Sequence, residues 1–240
     1  MIRVQDLVKQ FGTIRAVDHI SFDVSKGEIL GFLGPNGAGK STTMKILTCF
    51  LQPDSGTAQV GGFDILKDPV AVRRKIGYVP ENAPLYDGMS VEDFLQFMCD
   101  VRGLQGAVRK DALDRVTEMC SIKNVYHQPI GTLSKGYKRR VGLAQAFLHD
   151  PEILILDEPT DGLDPNQKHD VREMIHAMGR DKCIIISTHI LEEVDAICSR
   201  AIIIARGKVL ADGSPAELSA KGGGKLETFF RQITTKESAA

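Results

Sequence analysis

The sequence predicts an α/β fold: a mixed sheet core, an antiparallel β subdomain at its start and a helical subdomain inserted in its middle. Three observations predict it. Apolar and polar residues alternate early, in "AVDHISFDV". Short, continuously apolar, β-branched runs, "EILILD", "KCIIIST" and "RAIIIA", recur after Glu152, with amphipathic segments between them. Residues from about 82 to 150 have helical periodicity and little strand character. Alternation marks a strand with one solvated face, whereas continuous apolar runs mark parallel strands covered on both faces.

In chain order, the alternation of Val17, Ile20, Phe22 and Val24 with polar residues marks an early strand, a turn follows at Lys26 and Gly27, and "EILGFL" reads as a buried strand. "GFLGPNGAGKSTTMKIL" then passes from strand through a glycine-rich loop into a helix. "SVEDFLQFMCDVRGL" begins with Ser90 as a cap and acids in the first turn, where the helix dipole favours them, and "RKDALDRVTEMCSI" makes a second helix. "TLSKGYKRRVGLAQA" opens a further helix with Ser134, Gly136 and the cations Lys135, Lys138, Arg139 and Arg140. A helix N-terminus with such charge suits a phosphate. After "KGGGK", a flexible joint, a short helix "LETFFRQIT" and a frayed tail are expected.

With 240 residues, 42% hydrophobic and 25% charged, the chain is long enough for a substantial core. A net charge of -1 provides no global attraction to nucleic acid or anionic lipid. The five cysteines lack a C-x-x-C pair, so small core residues in a reducing cytoplasm are expected rather than disulfides or a zinc knuckle. The opening residues predict no secretion signal. No apolar run approaches the roughly 20 residues that cross a bilayer, so work at a membrane requires a partner.

The chemistry concentrates in three strand ends. G-x-x-x-x-G-K-[ST] falls at Gly34, Gly39, Lys40 and Ser41. In such a loop, backbone N–H groups turn inward to phosphate oxygens, the lysine spans the β- and γ-phosphates, and the serine hydroxyl meets Mg²⁺. "ILILDEP" ends a buried strand in Asp157, a candidate magnesium ligand, followed by Glu158, a candidate general base. "STHIL" places His189 at the end of another strand, able to bond a γ-phosphate oxygen and the attacking water.

Five ordered stretches resemble the ATP-binding subunits of ABC transporters from Phe11 to about Gly213: "GPNGAGKST" the Walker A loop, "LSKGY" the signature, "ILILDEP" the Walker B strand, "DGLDP" the D-loop and "STHIL" the switch histidine. The resemblance implies the P-loop NTPase fold of an ABC ATPase domain over residues 1–213, with the helical subdomain at about 82–150 inserted in its RecA-like core, and a C-terminal helix and tail over 214–240. It implies ATP and Mg²⁺ as cofactors. Phe11 would stack on adenine with Val17 beside it, and Gly34, Pro35, Asn36, Gly37, Ala38, Gly39, Lys40, Ser41 and Thr42 would hold the phosphates. Asp164 would belong to the D-loop that communicates between two sites. Two copies would dimerise head to tail, so that Ser134 and Gly136 read the nucleotide held by the other copy.

Two departures from the family pattern stand out. Lys135 and Tyr137 replace a glycine and a glutamine of the usual signature, and Glu81 in "IGYVPEN" stands where a glutamine is common. A carboxylate there can bind Mg²⁺ or orient water, yet adds negative charge beside the phosphates. Both departures are similar to those of exporter-type subunits in the gliding-motility and multidrug-export branch. That implies ATP hydrolysis energising separate transmembrane permease subunits from the cytoplasmic face of the inner or plasma membrane. A soluble member of the family acting on nucleic acid, ribosomes or cofactor assembly is the alternative, and a nucleotide switch without turnover is a third. The cations Lys138, Arg139 and Arg140 could be cited for nucleic acid, but three cations on a helix usually form a solvated face, and no nucleic-acid partner is expected.

Overall fold

The computed structural model describes residues 1–238. The chain starts with an antiparallel hairpin, β1 (Ile2–Phe11) and β2 (Ile14–Val24), whose alternation of buried and exposed residues is interrupted near Asp6 and His19, both at positive φ. β3 (Ile29–Leu33) is buried throughout and leads through a loop into α1 (Lys40–Leu47). β4 (Ser55–Val60) and β5 (Phe63–Asp64) return to the hairpin, completing a four-stranded sheet in the order β2-β1-β4-β5. α2 (Pro69–Lys75) and the four-residue strand β6 (Ile76–Val79) follow.

Three helices then run in succession: α3 (Val91–Arg102), α4 (Gly106–Met119) and α5 (Lys135–Phe147). Ser90 caps α3 by accepting from the Asp93 N–H at 3.0 Å. β7 (Ile153–Asp157), α6 (Pro165–Met178), β8 (Cys183–Thr188), α7 (Leu191–Ile197), β9 (Arg200–Ala205) and β10 (Lys208–Gly213) alternate in the second half. They join β3 and β6 in a six-stranded sheet of order β10-β9-β3-β8-β7-β6, parallel except for the edge hairpin β9–β10. The sheet is therefore mixed: the apolar runs form its parallel part, and the β9–β10 hairpin adds the antiparallel edge.

Alternation along the buried strands divides the core. Leu154 and Leu156 of β7 and Ile184 and Ile186 of β8 pack with Phe94, Val141, Leu143 and Phe147 from the three-helix stretch. Ile153, Ile155 and Ile185 face the other way, onto Met44, Ile46 and Leu47 of α1 and the inner face of the antiparallel sheet. Each such side chain contributes roughly 2 kcal/mol on burial. The helical stretch thus shares a core with the sheet that carries the site. All five cysteines are free, and burial raises the thiols of Cys120, Cys183 and Cys198 to about 12.

At the C-terminal end, α8 (Pro215–Lys221) starts at a capping box of Ser214 and Glu217 and precedes α9 (Leu226–Ser238), which runs past the expected "LETFFRQIT". The glycine run between them is a hydrogen-bonded turn, with the Gly224 N–H donating to Ser219 O at 2.9 Å. It folds α9 back so that Leu226, Phe229 and Phe230 pack on Leu33, Val194 and Ile203. The last two residues of the expected frayed tail, 239 and 240, lie outside the described residues.

His149, just beyond α5, donates from Nε2 to Ile76 O at 3.2 Å while its buried Nδ1 has no partner. Burial, then the Arg102 guanidinium, lowers its pKa from 6.5 to about 4. Protons therefore bind the unfolded chain first, so this contribution to stability is full above pH 6.5 and is lost as pH falls from there toward 4. His149→Gln should flatten the decline of Tm between pH 7 and pH 5; an unchanged slope contradicts the assignment.

Candidate active site

The ends of β3, β7 and β8 lie side by side because Leu33 pairs with Thr188 and Asp157 with Ser187. This carboxyl edge is where open parallel sheets bind ligands. The loop from Gly34 to Gly39 is closed by contacts that only glycine permits. A Cβ on Gly39, at φ 105°, would sit 2.1 Å from Ala16 O, and one on Gly34 would sit 2.3 Å from Ile204 O. Lys40 follows with its side chain buried, and Nζ donates to Gly34 O at 2.7 Å and Pro35 O at 3.3 Å. Its ammonium also lies 3.6 Å from Glu158 Oε1.

A cavity of about 550 Å³ opens over this loop, lined by residues 36–42, Phe11, Ala16, Glu81, Glu158, Asp161 and His189. Ser41 Oγ donates to Asp157 Oδ1 at 3.2 Å, and Ser187 Oγ donates to the same oxygen. A hydroxyl and a carboxylate beside a phosphate loop are hard oxygen donors suited to Mg²⁺. That ion typically uses one or two protein ligands and completes its shell with water and phosphate. No group of three His, Cys, Asp or Glu able to hold a metal occurs among the described residues. Glu81 enters the cavity from the turn after β6.

Glu158 adopts φ 50°, a left-handed conformation uncommon outside glycine and costing about 1–3 kcal/mol. Its N–H donates to Ser187 O at 3.1 Å and Ser187 Oγ at 3.2 Å, while His189 Nδ1–H donates to Oε2 at 2.9 Å. The neighbouring backbone is tied from below. Thr160 and Thr188 both donate hydroxyls to Glu193, the latter at 2.7 Å, and Glu193 is buried on α7. Burial raises the Glu193 pKa. Glu158, Thr160, Glu193, Thr188 and His189 thus close a ring through chain and hydrogen bonds.

The signature stretch occupies a different place. Ser134 is exposed and caps α5, accepting from the Tyr137 N–H at 3.3 Å. Gly136 is buried under Gln167, whose side-chain oxygen would lie 2.4 Å from an added Cβ. Neither residue lines the cavity over the phosphate loop. Lys135 reaches toward it through Asp161, at 3.1 Å, and this bond lowers the Asp161 pKa. Asp164, expected in the D-loop, forms a capping box with Gln167 at the start of α6.

Two expectations need correction. Val17 is fully buried in the core and does not line the cavity; Ala16 does, because adjacent strand residues face opposite sides. The basic run on α5 is not a solvated face. Arg139 is buried against backbone carbonyls, Lys138 pairs with Asp87 at 2.9 Å, and Arg140 pairs with Asp170 at 2.8 Å. Sequence reasoning also passed over Ser187, Thr160, Glu193 and Asp161. Ser187 and Thr188 carried a signal, as polar residues ending an otherwise apolar run, whereas Glu193 looks like any acid in a helix's first turn.

The sequence profile of the ABC transporter family matches residues 17–161. The chain is similar to the probable multidrug ABC transporter ATP-binding protein YbhF of Escherichia coli, at 37% identity over 92% of this chain. It spans 38% of that protein's length. Among solved structures, an ATP-binding subunit of an ABC transporter superposes with a TM-score of 0.89 at 28% identity, covering 98% of this chain and 99% of that one. A dimeric ATP-binding cassette bound to ADP and Pi has a TM-score of 0.82 at 22% identity, covering 90% and 99%, a likeness of fold. With its phosphate loop, paired acids and histidine at one sheet edge, the chain belongs to the ABC transporter family.

Proposed function

We propose that this chain binds Mg-ATP at the cavity over Gly34–Thr42 and hydrolyses it as the energising subunit of a membrane exporter. The observation that carries the reading is the placement of Glu158 between Lys40 and His189 at the mouth of the phosphate loop. Loop amides and the Lys40 ammonium bind the phosphates, and Phe11, half exposed at the hairpin tip, stacks on adenine. Ser41 and Asp157 would hold Mg²⁺, with Glu81 as a further oxygen donor. The ion, when bound, neutralises phosphate charge. Glu158 takes a proton from water as its oxygen attacks the γ-phosphorus; the bond to the β,γ-bridging oxygen breaks, and ADP and phosphate leave. His189 orients the Glu158 carboxylate through its Nδ1 hydrogen bond.

The Ser134 end of α5 lies outside its own chain's cavity, and its first-turn amides have no intrahelical acceptor. This supports a head-to-tail dimer in which Ser134 and Gly136 complete the site of the other copy. Among the described residues no helix is long and apolar enough to cross a membrane. Permease subunits on separate chains and a peripheral position at the inner face of the membrane belong to the same reading, which rests on the family match. A groove between α1 and the helical stretch, lined by Phe50, Tyr78, Pro80, Pro84 and Arg102, adjoins the Glu81 turn. Phe50 is 78% exposed there, an apolar surface suited to a partner. The exporter reading rests on the likeness of "LSKGY" and "YVPEN" to the export branch, and the YbhF relative is named a multidrug transporter protein.

Lys40→Ala should abolish measurable Mg-ATP binding by the isolated chain, and unchanged affinity would count against the cavity assignment. For the transport role, the native protein should co-purify from detergent extracts with a polytopic membrane protein. Recovery with ribosomes or RNA and no membrane protein would overturn that role.

A further inference from the structure

Arg139 lies on the second turn of α5 and is 6% exposed. Its guanidinium uses all five N–H donors on backbone carbonyls. Nε donates to Pro159 O at 3.0 Å; one terminal nitrogen donates to Pro80 O at 2.9 Å and Glu81 O at 2.8 Å; the other donates to Asp157 O at 2.7 Å and to Glu158 O. No carboxylate among the described residues forms an ion pair with it. Asp157, Asp161, Glu158 and Glu81 act on it at longer range, and all four belong to the nucleotide site. Burial lowers its pKa while these acids oppose the shift.

One side chain therefore joins three segments: the helix that starts at Ser134, the turn that carries Glu81 and the turn that carries Glu158. A fork with every donor engaged is rigid in a way that a lysine or glutamine cannot copy, since a lysine offers three N–H donors and a glutamine two. Any displacement of α5 must move both turns or break bonds in a buried setting, where an unsatisfied polar group is costly.

We propose that Arg139 is a positioning residue that couples the two half-sites of each chain: engagement of the partner's nucleotide by the Ser134 end of α5 is transmitted through it to Glu158 and Glu81 in the chain's own cavity. This rests on the head-to-tail reading above. Arg139 itself touches neither nucleotide, and no covalent step involves it.

The test compares Arg139→Lys, Arg139→Gln and Ser134→Arg with the wild-type protein. Tm and the ATP affinity of the isolated chain are measured first, then kcat, KM and ATP-driven dimerisation. Arg139→Lys should bind ATP within about twofold of wild type and still dimerise, yet show kcat reduced about tenfold or more. Arg139→Gln, which lacks the charge as well, should be slower again. Wild-type kcat in Arg139→Lys overturns the proposal. So does a loss of ATP affinity that matches the loss of kcat, which assigns Arg139 to nucleotide binding, or failure of both Arg139 variants to fold, which assigns it to stability alone. If Ser134→Arg keeps full activity, the dimer reading fails; if Ser134→Arg is inactive while Arg139→Lys is fully active, only the coupling fails.

Discussion

Glu158→Gln protein should bind Mg-ATP as the wild-type chain does, accumulate as a dimer and hydrolyse ATP roughly 10²–10⁴-fold more slowly. The substitution keeps shape and size and leaves an oxygen able to accept the His189 N–H. It removes the basic oxygen that takes the proton from water, and it removes the charge opposite Lys40, 3.6 Å away. Losing that charge should leave phosphate binding intact, since the amides of residues 36–42 and the Lys40 ammonium remain. Steady-state ATPase assays, nucleotide titration and size-exclusion chromatography with ATP separate these effects. Equal hydrolysis by the variant and wild type would remove Glu158 as the base. Loss of ATP binding in proportion to activity would make it a ligand-holding group.

Ser134→Arg should spare ATP binding by the isolated chain and block both ATP-driven dimerisation and hydrolysis. Ser134 is exposed, does not line its own chain's cavity, and makes one hydrogen bond, to the Tyr137 N–H. Losing this cap costs about 1 kcal/mol, too little to unfold a domain with two extended apolar cores. A bulky side chain at the helix N-terminus would instead obstruct close approach of a phosphate from outside the chain. A lower Tm with full ATPase activity would restrict Ser134 to capping. Light scattering with and without ATP reads dimerisation directly.

Much of this site is legible in local patterns. Gly34–Ser41, Asp157, Glu158 and His189 stand at the ends of short apolar runs, and parallel pairing brings those ends to one edge. What local pattern could not show depends on register and on distant partners. Whether Val17 or Ala16 faces the ligand depends on a hairpin whose register shifts between Leu7, Lys9 and Gln10. β6 is four residues long and contains a glycine, so it carries little signal as a strand. Arg139 reads as one cation in a basic run because its acceptors lie on β7, its following turn and the Glu81 turn. Glu193 is equally ordinary in sequence, and its role appears only when Thr160 and Thr188 converge on it.

The central claim is that each working site is built from two copies of the chain, and mixing two inactive proteins tests it most directly. Lys40→Ala lacks the phosphate loop's cation but keeps Ser134; Ser134→Arg lacks the signature but keeps Lys40. In a head-to-tail heterodimer, one of the two sites is intact. An equal mixture should therefore regain ATPase activity that neither protein shows alone, up to about half of wild type, because only the heterodimer closes on ATP and it carries one intact site of two. If both halves of a site lay on the same chain, the mixture would show no more activity than the two proteins measured separately, and that result would contradict the account.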